Sequence, residues 1–426
     1  MTDAVQTTSS YPWREEYVTL PVPDRNGTDA SIGLLKIGDP AASTVVLFLG
    51  GKEGAAAGFT SLGRTVAAVA PGVQFWAMDR REVFLTDTSR TDAPLDQALA
   101  YYLEGRYRRP DPAHFAEYAE WGLQVLVDDI RVAIAAAAEG GRKVLLGGHS
   151  VGAAEVVHYA SWDFDGVGGH RSIDGLVLVD GGALNAFRGA GMEFGIDLDT
   201  ARGWLGGIRT GGVFETDSST SATLGFDGPP ETAALFYKLA ARALLEQPTA
   251  LSPLAAHLPA RYPVPASATN HEVFAALVNL GNAKAGYGVT AGHFDGGSWV
   301  QDGPTRLGTV AHAHSLGAGA FQWYTLNRTL LDLIAADSLE QSGTTELLGL
   351  RGLHTARIDV PVLAYASAFT NGSSLDSAKE LTRLSAISRL ELVEDKALSH
   401  HDVLFADLPA NSLVRAIASF AGSLAA

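Results

Sequence analysis

Short apolar runs, each stopping at a glycine or an aspartate, recur through the first part of this chain. TVVLFL stops at Gly50-Gly51, VQFWAM at Asp79-Arg80-Arg81, KVLL at Gly147-Gly148, and IDGLVLV at Asp180. Runs of four to seven residues are short for buried helices, and unbroken apolarity suits strands covered on both faces. A further strand is read at 31–37. Between the runs lie stretches of helical period at 58–70, 115–138 and 151–160. The second carries Leu123, Leu126, Ile130 and Ile134 three or four residues apart. Alternating strand and helix predict an α/β fold, a mainly parallel sheet with helices on both faces.

The alternation stops after residue 182. Residues 183–356 are rich in Gly, Pro, Ser and Thr, with helical stretches at 231–246 and 321–336. Strand character returns at 360–366 and 390–393, with helices at 374–384 and 409–424. The reading is one core built from 1–182 and 357–426, interrupted by a helical and loop insertion, a lid, at 183–356. Residues 1–13 are polar and read as loose.

Net charge narrows the partners: 31 basic against 47 acidic residues leave −16. Phosphate backbones and anionic lipid heads repel such a chain, so no nucleic-acid partner is expected. There is no cysteine, which excludes disulfides, thiolate nucleophiles and Cys-ligated metals. The opening MTDAVQTTSSYPWREEY lacks the basic start and apolar core of a signal peptide, and no apolar run approaches about 18 residues. A cytoplasmic protein without a membrane span is expected, and a homo-oligomer stays open.

The stretch KVLLGGHSVGAA carries the chemistry. Gly148-x-Ser150-x-Gly152 is a weak pattern alone, since a chain with 47 glycines in 426 residues yields about 0.3 such matches by chance. Its context is specific: a strand before and a helix after are what a sharp turn lifting a serine hydroxyl needs. Ser150 is forced toward positive φ, and side chains at 148 or 152 would collide with neighbouring backbone. Ala153 and Ala154 let the helix approach the sheet.

Four motifs together, GGHSVGAA, FLGGKEG, LVLVDGG and SHHDVLFADLP, resemble the α/β-hydrolase superfamily, in its lidded serine esterase and lipase branch. The resemblance covers 1–182 and 357–426. It implies a triad in the order Ser, acid, His, with Ser150 as nucleophile. The base should follow the last strand. The His-x-Asp register of Ser399-His400-His401-Asp402 assigns it to His400, with His401 as the alternative. The usual acid position after 360–366 reads SAFTNGSS and holds no carboxylate. Asp180 is therefore preferred over Asp376, which suits a helix-dipole role. Oxyanion donors should be the backbone N–H of Val151 and of Gly51 or Lys52. Gly50 stands where His is frequent, and Glu53 raises the concern of a carboxylate facing a developing anion.

His149, beside the nucleophile, is expected to point away from it, toward the lid and substrate. In the lid, Phe236, Leu239 and Ala243 form one stripe, and Trp323, Leu326 and Leu330 another; Trp323 is the candidate substrate contact. His312 and His314 are read as lid packing, with no metal and no cofactor expected. The resemblance implies a serine hydrolase cleaving a carboxylic ester or lactone of a bulky hydrophobic substrate through an acyl-enzyme, in a large, mostly apolar pocket. A serine at this position argues against the dehalogenase and epoxide-hydrolase branches, which use Asp there. Thioesterase, amidase and C–C-bond hydrolase chemistry would use the same triad. A non-catalytic binding protein is the rival from another class.

Overall fold

A computed structural model describes residues 14–23, 30–226, 228–262, 264–280, 285–296 and 298–425. The opening stretch 1–13 lies outside them. Eight strands form the main sheet: β1 (Arg14–Val22), β2 (Ala30–Gly38), β3 (Thr44–Leu49), β4 (Val73–Asp79), β5 (Lys143–His149), β6 (Gly175–Val179), β7 (Val362–Ala366) and β8 (Leu390–Glu394). Their order is β1-β2-β4-β3-β5-β6-β7-β8. β2 pairs antiparallel with both β1 and β4, and from β4 to β8 every pairing is parallel.

Strand period divides the apolar residues between two cores. Val46 and Phe48 of β3 face one, with Phe75, Leu145, Val177 and Tyr365. Val45, Leu47 and Leu49 face the other, with Trp76, Leu146, Leu178 and Ala364. The first core is covered by α1 (Thr60–Val69) and the C-terminal helix Ser412–Ala425. The second is covered by α2 (Leu123–Ala137), α3 (Val151–Ser161) and the helix Ser373–Leu384. Helices thus cover both faces, as the alternation predicts.

Between β6 and β7 the chain forms a series of helices, among them Leu198–Arg209, Thr232–Glu246, Asn270–Leu280, Leu307–Ser315 and Asn327–Ala336. This segment contributes to both cores. Phe236, Phe274 and Val310 join the Phe48 side, and Leu205, Leu331 and Leu333 join the Leu47 side.

Two expected helices are shorter than their patterns. The one at 115–138 breaks at Gly122, which is extended (φ −105°, ψ −163°). A Cβ there would lie 2.2 Å from Asp332 Oδ2, and the same oxygen accepts the Leu123 N–H at 2.9 Å. The one at 321–336 begins only at Asn327. Phe321 instead bridges Gly54, and Leu326 bridges Phe214. Long-range pairing takes the backbone groups that a helix would have used. β1 and a helix at Leu95–Leu103 were not read from the sequence.

Candidate active site

β5 ends at His149 and α3 begins at Val151, so Ser150 alone makes the turn, at φ 58° and ψ −126°. That conformation is costly for a residue with a Cβ and persists only where the surroundings hold it. Glycines supply the room. A Cβ at Gly148 would lie 2.1 Å from Gly152 O, at Gly152 2.5 Å from Gly50 O, and at Gly181 2.1 Å from Ser150 O. The Ser150 N–H donates to Val179 O at 2.9 Å, which ties the turn to the end of β6.

The next residue after that strand is Asp180, fully buried and at φ 51°. Its Oδ2 lies 2.6 Å from His400 Nδ1. Its Oδ1 accepts the Ser367 N–H and the Thr370 hydroxyl, both at 3.0 Å, and the Ser367 hydroxyl also donates to Oδ2. The loop SAFTNGSS, which carries no carboxylate, supplies donors to one on the neighbouring strand. Burial works to raise the Asp180 pKa, but the hydrogen bond and charge of His400 and the Ser367 donors bring it below the usual carboxylate range. Asp376 is on the surface, 2.9 Å from Lys379 Nζ.

His400 is 1% exposed. Tyr287 stacks on its ring at 5.2 Å and 17°, Phe369 packs at 4.5 Å, and its N–H donates to Gly286 O at 2.7 Å. A carboxylate at Nδ1 assigns the ring proton to that nitrogen and leaves Nε2 as the basic one. His401 lines the same cavity, and among the described residues no carboxylate bonds to its ring. Burial, and then His400, push its pKa well down.

His149 departs from expectation. It is buried against His400, with ring centroids 4.3 Å apart, and it lines the Ser150 cavity instead of pointing away. Its Nε2 lies 2.9 Å from His400 O, a carbonyl, so Nε2 donates. Burial and the neighbouring His400 hold its pKa far below the ordinary imidazole range, so it acts as a neutral prop for the His400 backbone.

Ser150, His149, His400 and His401 open onto one cavity of about 40 Å³. Gly50, Gly51 and Lys52 form one side, Phe59, Leu404 and Phe405 another, and Tyr287, Ala320 and Phe321 of the insertion form the roof. Among the described residues no backbone carbonyl accepts from the N–H of Gly51, Lys52 or Val151. A Cβ at Gly51 would lie 3.2 Å from Ser150 Oγ, so this peptide runs directly beside the hydroxyl. The Lys52 side chain turns away, its Nζ at 3.0 Å from Glu215 Oε2 and 2.6 Å from Ser218 Oγ. Glu53 also faces elsewhere, accepting the Thr220 N–H at 3.0 Å, and burial pushes its carboxyl pKa up. The concern of a carboxylate at the oxyanion position is removed.

Two expectations are corrected. The cavity over Ser150 is small, because the roof is drawn down by backbone hydrogen bonds. Ala55 N donates to Ala320 O at 3.0 Å, Gln322 N to Glu53 O at 2.8 Å, and His401 N to Tyr287 O at 3.1 Å. Trp323 does not reach it: Trp323 packs edge-on against Tyr107 at 5.2 Å and Tyr102 at 6.3 Å. The chain bends at Trp323, and Phe321 lines the cavity while Trp323 does not. Those two tyrosines line a separate cleft of about 540 Å³ with Arg109, Phe226 and Phe236. His314 stacks on Tyr237 at 4.8 Å, as packing would have it.

No model of a known protein family matches the sequence, and no curated protein matches it. Solved structures do. A candidate lipase from Sulfolobus solfataricus matches at 14% identity over 99% of both chains, with a TM-score of 0.52. The chain has the α/β-hydrolase fold. An epoxide hydrolase from an endophytic Streptomyces (14% identity, TM-score 0.45, 96% of both chains) is also similar. So is an esterase from Thermogutta terrifontis (11% identity, TM-score 0.43, covering 96% of this chain and 98% of that one). At these identities the likeness is one of fold, and the reading of the chemistry rests on the residues around Ser150. No helix among the described residues is long and apolar enough to cross a membrane.

Proposed function

We propose that this α/β-hydrolase-fold protein is a serine hydrolase that cleaves a carboxylic ester or lactone through an acyl-enzyme. The observation that carries the reading is the 2.6 Å contact of the buried Asp180 with Nδ1 of His400, a histidine that lines the same cavity as the strained Ser150. His400 Nε2 takes the Ser150 proton as Oγ bonds to the substrate carbonyl carbon. The carbonyl oxygen becomes an oxyanion that receives the N–H groups of Val151 and of Gly51 or Lys52. The tetrahedral intermediate collapses, the C–O bond to the alcohol breaks, and the His400 proton leaves with it. Water then attacks the acyl-enzyme, gives its proton to His400, and the acid departs as Ser150 is reprotonated. Asp180 holds the Nδ1–H and stabilises the imidazolium at each stage.

The insertion acts as a cap over this centre. A cavity of about 40 Å³ favours a short acyl group, with any bulk of the substrate on its alcohol side, in place of the large, mostly apolar pocket expected over Ser150. The test is a fluorophosphonate probe followed by peptide mapping. Modification of Ser150, with hydrolysis of p-nitrophenyl esters abolished by Ser150→Ala, supports the reading. A folded protein that neither reacts nor hydrolyses would point to a binding protein. Thioester and anilide analogues of the best ester separate ester from thioester and amide cleavage.

A further inference from the structure

Arg80 follows β4 and lies buried beneath the loop that leaves β3. Its Nη2 donates to Gly50 O at 2.5 Å and to Glu155 Oε2 at 2.6 Å. Its Nη1 reaches Gly51 O and Gly54 O, both at 3.4 Å. Glu155 stands on α3, in the second turn after Ser150, and is 1% exposed. One guanidinium therefore grips the carbonyls of the Gly50–Gly54 loop on one side and the helix of the nucleophile on the other.

Stability alone is a poor reason for this arrangement. Burying an ion pair costs most of what its attraction returns, and apolar replacements of similar volume are often neutral or better. Peptide geometry supplies another reason. In a trans peptide the C=O of one residue and the N–H of the next are fixed in one plane and point in opposite directions. Drawing Gly50 O and Gly51 O toward Arg80 therefore turns the N–H of Gly51 and of Lys52 the other way. Gly51 itself lies against Ser150, since a Cβ there would fall 3.2 Å from Oγ.

We infer that Arg80, anchored by Glu155, is a positioning residue that aims the Gly51 and Lys52 N–H groups at the oxyanion formed beside Ser150. The inference rests on the hydrolase reading above, and its test keeps the two apart. The full-length protein is compared with Arg80→Lys, Glu155→Gln and the charge-neutral double variant Arg80→Met/Glu155→Met. For each, kcat and KM for p-nitrophenyl acetate, the inhibition constant of a short-chain trifluoromethyl ketone and the melting temperature are measured. The ketone adds Ser150 Oγ to its carbonyl carbon, the proton passes to His400, and the resulting oxyanion reports on the donors directly.

The double variant should lose about 10²-fold in kcat, the scale of a misplaced oxyanion donor, with KM within about threefold. The ketone should weaken in proportion. Arg80→Lys, a point charge that cannot fork between carbonyl and carboxylate, should lose about tenfold, and it carries the test if the double variant does not fold. A folded variant with unchanged kcat, or with reduced kcat and unchanged ketone affinity, overturns the inference. If the wild type fails to label at Ser150 the hydrolase reading falls. If it labels and the variants match it, only the positioning role does.

Discussion

Asp180 Oδ2 lies 2.6 Å from His400 Nδ1 although 220 residues separate them in the chain. Asp180 comes from the residue after β6, and the loop after β7 turns a backbone N–H and two hydroxyls onto the same carboxylate. Asp180→Asn should keep the shape and lose the charge that holds the Nδ1–H tautomer. A fall in kcat of about 10⁴-fold is expected, as in other triads. Asp376→Asn, at a surface position paired with Lys379, should change kcat less than about twofold. Steady-state kinetics on one p-nitrophenyl ester decide it, and the reverse ranking would sink the assignment.

What could be read from the sequence follows from what local order dictates. A strand, a turn and a helix in succession put Ser150 at an elbow whatever the rest of the chain does. The empty SAFTNGSS loop moved the acid to Asp180. Ser367 and Thr370 as its donors could not be read, because a hydroxyl in a loop carries no sign of its partner. The non-helical path of 321–326 is hidden for a related reason. Its apolar spacing fits a helix, and only the pairing of Ala320 and Gln322 with the Glu53–Ala55 backbone decides otherwise. Arg80 shows in the sequence only as part of Asp79-Arg80-Arg81 at the end of an apolar run, and the carbonyls it grips belong to another loop.

Gly51 is a sharper probe than its size suggests. A Cβ there would lie 2.8 Å from Ser150 Cβ and 3.2 Å from Oγ, closer than unstrained contacts allow, so Gly51→Ala must shift the loop or the serine. We expect kcat to fall by about 10²-fold or more with a melting temperature within a few degrees of wild type. Activity within threefold of wild type would show that the Gly51 peptide is not poised at the reacting atoms.

The loop of His400, the proposed base, is strapped by the segment between β6 and β7. Asp402 Oδ1 accepts the Thr290 N–H at 2.8 Å and the Thr305 hydroxyl at 2.7 Å, and Oδ2 accepts the Ser399 N–H at 3.1 Å. Asp402→Asn removes a charged acceptor shared by three donors. It should cost about 2–3 kcal/mol of unfolding free energy and lower kcat about tenfold through a loosened His400. Denaturant titration with kinetics below the transition checks both. Full activity in the destabilised variant would confine the strap to stability.

Burial lowers the His158 pKa to about 4, and its Nε2 has no partner among the described residues. Its folded pKa is depressed relative to about 6.5 in the unfolded chain. The unfolded state therefore takes up a proton as pH falls below about 6.5, while the native state does not until about 4. The associated stability is present above about 6.5 and lost between these values. Asp79 and Asp129, raised to about 6 chiefly by burial, act in the opposite sense over part of the window, so the wild-type curve alone is ambiguous. His158→Phe isolates the term. Measured by denaturant at pH 7.5 and 4.5, the variant should gain roughly 2–3 kcal/mol on wild type as pH falls. An equal pH dependence in both would mean that His158 is not neutral and buried.

Phe321 tests the size of the acyl group. It roofs the cavity while packing on His314 at 4.7 Å and Tyr237 at 5.4 Å, and it is only partly buried, so its removal is cheaper than that of Phe59 or Phe405 in the wall. The backbone hydrogen bonds from Ala55 to Ala320 O and from Gln322 to Glu53 O survive any side chain at 321. Phe321→Ala should therefore enlarge the space above Ser150 without releasing the roof. In wild type, kcat/KM across p-nitrophenyl esters should peak at two to four acyl carbons, because each further methylene gains about 0.8 kcal/mol on burial only if there is room for it. In the variant the peak should move to longer chains by two or more carbons, with the acetyl ester little changed. If the wild type already prefers long chains, the roof opens during turnover and the 40 Å³ cavity is not what selects the substrate. If the variant leaves the profile unmoved, the acyl chain runs along the Phe59 and Phe405 side, and the roof contacts the alcohol.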